Sequence, residues 1–258
     1  MTISSLLSGT SSSLLGSSTA SQASTASTAA STVSPFLAQA EQRIQSDAAV
    51  TTAQISKFGL VKSALSSGQV AAQAMTALTS ATKPADVTTA LGNFFNTFNA
   101  SVSAAHMAAA ATGSGSQSAR ATLLVQDLKS ALSSNPAISG DLKKLGLMIQ
   151  KDGSLLQDAK KFAASLASDP SGTLAAMAAI GKQVNTVSSK ELGSSGTVGT
   201  ALATLNAKST SLTAQQTALQ ALNQAMSATT ATTASSTSTQ SSLSGTGVAA
   251  YQSTMNGF

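Results

Sequence analysis

Two long uncharged ends set the first limit on this chain. No charged residue precedes Glu41 and none follows Lys208. Both ends are crowded with Ser, Thr, Ala and Gly, a mixture that buries too little apolar surface to offset chain entropy. Ordered structure is therefore expected over about 34–226, with a disordered leader at 1–33 and a Ser/Thr-rich tail at 228–258. The leader echoes Ser-Ser-Leu-Leu at Ser4–Leu7 and Ser12–Leu15. Its leucines are either bystanders of a low-complexity run or contact points that order on assembly.

Between those ends the chain reads as helix. Only 3% of its residues are aromatic, with no Trp and one Tyr. Few rings suit thin helix–helix seams better than a thick globule, because aromatic rings supply much of the buried area in compact cores. Ser34-Pro35 has the chemistry of a helix start, a hydroxyl acceptor followed by a residue that suits the first turn. From there to residue 80, Ile44, Ala48, Thr51, Ile55, Phe58, Val61 and Leu65 recur by threes and fours along one narrow stripe, as in a coiled coil. A helical domain with one hairpin follows over 84–190. Its densest stripe is Val87, Leu91, Phe94, Phe95, Phe98 and Val102, closed by the loop Thr112–Ser116. The next helix carries Leu123, Leu124, Leu128 and Leu132 and stops near Asn135-Pro136.

Leu145–Ile149 and Ser154-Leu155-Leu156 flank Asp152-Gly153, a dipeptide that tolerates the positive φ of a tight turn. The segment reads as a short β-hairpin, its competitor being a loop between helices. A short helix is expected from Asp158 to Ala167, and Asp169-Pro170 caps another running to Val184 or a little beyond. After a stretch at 193–199 expected to be flexible, a last helix over 196–227 keeps a heptad: Leu205, Leu212, Leu219 and Met226 lie seven apart, with Leu202, Ser209, Gln216 and Asn223 as companions. Polar companions weaken a coiled coil but fix its register. The expected fold is thus mainly α: a long antiparallel coiled coil of the N- and C-terminal helices plus a small helical bundle bearing one hairpin. Ile44, Ile55, Phe58 and Leu65 are expected to meet Leu202, Leu205, Leu212 and Leu219 as a coiled-coil and oligomer interface. Phe58→Ala and Leu212→Ala should then impair self-association more than monomer secondary structure.

Chemistry is sparsely provided. Cysteine is absent, which removes disulfides and thiolate metal sites. The single histidine, His106, sits in an Ala-rich helix. Asp47, Asp86, Asp127, Asp141, Asp152, Asp158 and Asp169 are scattered without the spacing of a metal loop. Gly113-Ser114-Gly115 lacks the Lys-Ser/Thr of a phosphate loop, and no serine has a nucleophile-elbow setting. An enzyme is not expected, nor a catalytic residue, a metal or a cofactor. The net charge of +5, from 14 basic and 9 acidic residues, is spread thinly. Lys143, Lys144, Lys151, Lys160 and Lys161 form the nearest thing to a basic cluster; a solvated face accounts for them better than nucleic acid. No apolar run approaches the ~20 residues of a membrane span, and no Sec-type leader follows Met1.

Several stretches resemble the flagellar filament cap family, that of hook-associated protein 2. Residues 54–65, Gln-Ile-Ser-Lys-Phe-Gly-Leu-Val-Lys-Ser-Ala-Leu, look like its N-terminal coiled-coil segment, with Ala40–Ile44 fitting the same helix. Phe94–Val102 resembles its Phe-rich helix and Ala119–Leu132 the next. Leu145-Gly146-Leu147 with Asp152-Gly153-Ser154-Leu155 is similar to its hairpin. Phe162–Asp169, Asp169-Pro170 and the 202–222 helix follow in the family's order. The resemblance covers about two thirds of the 258 residues. It departs from the family in two respects: members carry two β-rich domains between the halves, where this chain has only 80–83, and their Gly-Ser-Gly-Leu-Asp-like N-terminal signature is replaced by the Ser/Thr leader. The resemblance implies a reduced, extracellular structural protein of the bacterial flagellum, exported unfolded through the type III channel with an export chaperone. It implies a homo-oligomer, a ring of about five or six copies, meeting flagellin and the hook–filament junction proteins. The competing reading is a reduced cap paralogue, acting as a secreted or regulatory coiled-coil binding protein.

Overall fold

A computed structural model describes residues 22–111 and 115–255, with side chains over 35–111 and 115–229. The fold is mainly α with one two-stranded hairpin. In chain order the elements are α1 (Gln22–Thr76), α2 (Pro84–Ala111), α3 (Ser116–Ser133), α4 (Pro136–Lys144), β1 (Leu147–Ile149), β2 (Leu155–Gln157), α5 (Ala159–Ser168), α6 (Pro170–Leu192) and α7 (Thr197–Met255). They divide into two compact units, one of Met1–Gln45 with Gln215–Phe258 and one of Ser46–Ala214.

Local chemistry places most boundaries. Asn135 caps α4, its side chain accepting from the Ala137 N–H at 2.9 Å, with Pro136 in the first turn. Asp158 caps α5 by accepting from the Lys161 N–H at 3.0 Å. Asp169 caps α6 by accepting from the Gly172 N–H at 2.9 Å, followed by Pro170. In the hairpin Leu147 pairs with Gln157, Met148 with Leu156 and Ile149 with Leu155. The Asp152 carboxylate takes the Ser154 N–H at 3.0 Å, and Gly153 sits at φ 89°, so the turn needs both members of the Asp-Gly dipeptide.

Four boundaries differ from the sequence reading. Pro35 lies inside α1, which begins at Gln22. The proline's fixed φ fits a helix at the cost of one hydrogen bond to the preceding turn, and no Gly or Pro over 22–34 stops the helix there. At the other end α7 runs to Met255 rather than ending near residue 227. The hydroxyls of Thr210, Thr213, Ser227 and Thr229 on this helix each donate to the carbonyl four residues back. Residues 136–144, for which the sequence predicts no element, form α4, and α6 continues to Leu192. The leader expected over 1–33 and the tail over 228–258 carry helical backbone at 22–33 and 228–255; the rest lies outside the described residues, as do Thr112–Ser114 of the expected loop.

The core belongs to the Ser46–Ala214 unit. Phe58, Leu65 and Met75 of α1 join Leu91, Phe94 and Phe98 of α2, Leu124 and Leu128 of α3, and Met177 and Ile180 of α6 in one continuous apolar cluster. Phe94 and Phe98 stack at 5.9 Å between ring centroids, tilted by 38°. α1 and α6 run antiparallel, as Gln69 donates to Ser189 and Gln73 to Asn185. Their backbones close in at Gly181, where a Cβ would collide with the Ala72 carbonyl.

Candidate functional site

The expected interface residues fall into both units and differ in burial. In the Ser46–Ala214 unit, Phe58, Leu65 and Leu205 are fully inside the chain's own core, with Ile55 and Leu202 packed against it. Leu212 is buried too. Phe58 is 0% exposed, so its removal acts on the fold before it acts on any association. Burial of Phe58 and Leu212 adds a cost to the chain's own stability that the expectation, which set self-association against monomer secondary structure for both substitutions, did not include. The reason is geometric: a helical stripe has the same period whether it faces its own chain or another.

In the other unit the seam stays open. Over 35–45 and 215–229 no described side chain is fully buried. Leu37, Ala40, Glu41 and Ile44 on one helix, and Gln215, Gln216, Leu219 and Met226 on the other, are half-buried. Leu37, Ala38 and Glu41 line a shallow groove with Leu219, Gln220 and Asn223. Beside this seam Phe36 is 73% exposed and Leu222 47%. Glu41 and Arg43 are the charged residues in this unit's sequence. A helix pair with a half-covered apolar seam and almost no charge gains more from further helices than from water.

The most unusual electrostatic group is one that sequence reading passed over. Glu191, at the end of α6, has a side chain only 1% exposed. Its Oε2 accepts the Thr197 N–H at 3.0 Å, so it satisfies an amide at the start of α7. Lys190 Nζ lies 3.5 Å from Glu191 Oε1 and 3.8 Å from Asp127 Oδ2 on α3. Burial alone pushes the Glu191 carboxyl up, but hydrogen bonds from Thr197, the Lys190 charge and a hydrogen bond with Asp127 outweigh it and hold it below the ordinary range. Asp127 moves the other way, raised by desolvation and by the Glu191 charge. Three elements meet here, and the stretch at 193–199, expected to be flexible, is instead a tight connection: a Cβ on Gly196 would collide with the Lys190 carbonyl.

His106 is exposed on α2, with Nε2 2.8 Å from the Asp152 carbonyl oxygen, and so ties the hairpin turn to that helix. Among the described residues no group of three or more His, Asp or Glu side chains could hold a metal ion. No described helix is long and apolar enough to cross a membrane. No protein-family profile, no curated protein and no solved structure matches this chain.

Proposed function

We propose that this protein is a non-enzymatic structural component of the bacterial flagellum, similar to the filament cap, which self-associates at the filament tip and assists flagellin assembly. One observation carries the reading. The helix pair over 35–45 and 215–229 keeps a half-buried, almost uncharged seam, bordered by exposed Phe36 and Leu222. Such a seam is completed by neighbouring copies, and ordering that waits for neighbours keeps a monomer fit for export through a narrow channel. The order of the cap-like segments along the sequence agrees with this. On this reading the protein acts outside the cell, after type III export with a chaperone, among flagellin and hook–filament junction proteins.

A deletion strain tests it. Loss of filaments with flagellin released into the medium, and tip labelling of the tagged protein, support the cap role. Normal filaments and swimming overturn it. They would favour a reduced paralogue working as a secreted or regulatory coiled-coil binding protein, a reading supported by the short 77–83 connection where cap proteins carry two β-rich domains.

A further inference from the structure

The β1–β2 hairpin has one face too many that is apolar. Leu147 and Leu155 point into the core. Met148 and Leu156, direct cross-strand partners, point away from it and are 54% and 47% exposed. A solvated face of an antiparallel pair is ordinarily polar, so this pair is unexplained by the fold. The hairpin is also held firmly. Asn99 of α2 clamps both backbone groups of Leu155: Nδ2 donates to the Leu155 carbonyl at 3.0 Å and Oδ1 accepts its N–H at 2.7 Å. Together with His106 at the turn, this presents Met148 and Leu156 as a fixed surface.

The charges around it are lopsided in a specific way. Lys143 and Lys144 end α4, Lys151 is in the turn, and Lys160 and Lys161 open α5. Lys161 lies beside the hairpin's first residues, its Cβ 3.1 Å from where a Cβ on Gly146 would stand. The acids of the segment are engaged internally. Asp152 takes the Ser154 N–H and hydroxyl, Asp158 caps α5, and Asp169 takes Lys144 at 2.7 Å. Only Asp141 is left, and among the described residues no carboxylate pairs with Lys143, Lys151, Lys160 or Lys161.

We propose that this hairpin face docks an acidic protein segment carrying apolar side chains. Met148 and Leu156 receive the apolar groups, methionine adapting its shape to them, and the unpaired lysines receive the carboxylates. Nucleic acid fits less well, since single strands are held by stacking on rings and this face offers none. A second copy would bring the same lysines against each other. The inference does not depend on the cap-like reading.

A random peptide library displayed against the full chain, counter-selected with the Met148→Ser/Leu156→Ser variant, tests it. The selected peptides should combine Asp or Glu with Leu, Ile, Met or Phe. One of them, titrated by fluorescence anisotropy, should bind the double variant at least about tenfold more weakly. Lys151→Gln/Lys160→Gln/Lys161→Gln should weaken it too and reduce its salt dependence. Both variants should keep the wild-type circular dichroism, as all five side chains are exposed. The proposal is overturned if selection yields no peptides, or basic or uncharged ones, or peptides the double variant binds equally. It is also overturned if a random single-stranded oligonucleotide binds with an affinity that the lysine variant loses and the Met148/Leu156 variant keeps, or if the Met148/Leu156 variant lowers the oligomer mass in sedimentation.

Discussion

Phe58→Ala and Leu219→Ala separate the chain's two kinds of seam. Phe58 is fully enclosed in the Ser46–Ala214 core. Truncating it uncovers about 150 Å² of apolar burial, which at ~25 cal/mol/Å² amounts to ~4 kcal/mol, inside the ~3–5 kcal/mol typical of buried Phe→Ala changes. With a urea slope of roughly 2 kcal/mol/M, the midpoint followed by circular dichroism should fall by about 2 M. Leu219 is only half-buried in the other unit, so its truncation should cost the chain at most ~1 kcal/mol. Its effect should appear instead in sedimentation velocity, as a weaker self-association at unchanged helicity. Two results would refute the reasoning: a Phe58→Ala midpoint within about 0.5 M of wild type, or a Leu219→Ala variant that assembles like wild type.

Three further substitutions probe the supports of the fold. Gly153→Ala should destabilise by about 1–3 kcal/mol in thermal melts, because φ is 89° and the new Cβ would meet Val125 Cγ1 at 2.9 Å. Asn99→Ala should cost ~1–3 kcal/mol and speed amide exchange at Leu155 by at least about tenfold, since that N–H loses its acceptor. Melts across pH should show opposed contributions from the carboxyl pair. Glu191, held low in the fold, stabilises above the ordinary glutamate range and loses this as pH falls through and below it. Asp127, held high, favours the fold at low pH and loses this as pH rises through the carboxylate range. Glu191→Gln should therefore flatten the acid limb, whereas Asp127→Asn should raise the melting temperature at neutral pH above that of wild type.

What was legible in the sequence was chemistry that acts within a few residues. Asp152-Gly153, Asp158 and Asp169-Pro170 announce a turn and two helix starts because their partners lie two or three positions away. α4 was missed although its cap, Asn135, was in view; nine residues containing Gly140 offer only two buried apolar positions, Ile138 and Leu142, too few to stand out. Glu191 and Asn99 were missed for a different reason. Their partners are Asp127, Lys190 and Thr197 in one case and Leu155 in the other, and only the packing of whole helices brings most of these together. Pro35 misled because a residue suited to a helix's first turn also fits its interior when the flanking sequence contains nothing to stop it.

The stripe on α7 poses the problem that periodicity cannot answer. Val198, Ala201, Leu205 and Leu212 are buried, whereas Leu219 and Met226, in the same heptad, are half-buried. The pattern is constant while the burial is not, so the pattern alone could not say where a folded core gives way to a half-covered seam. The companion positions hold the discriminating information. Leu202 is apolar, as befits an edge that the chain covers itself, and it is followed by Ser209, Gln216 and Asn223. Each polar companion lowers the gain from pairing and narrows the registers that tolerate it. A stretch built that way suits helices that must meet late and in one alignment. On the function proposed above, that is what a protein delivered unfolded and assembled where it arrives would require, which is why the open seam, rather than any pocket, carries that proposal.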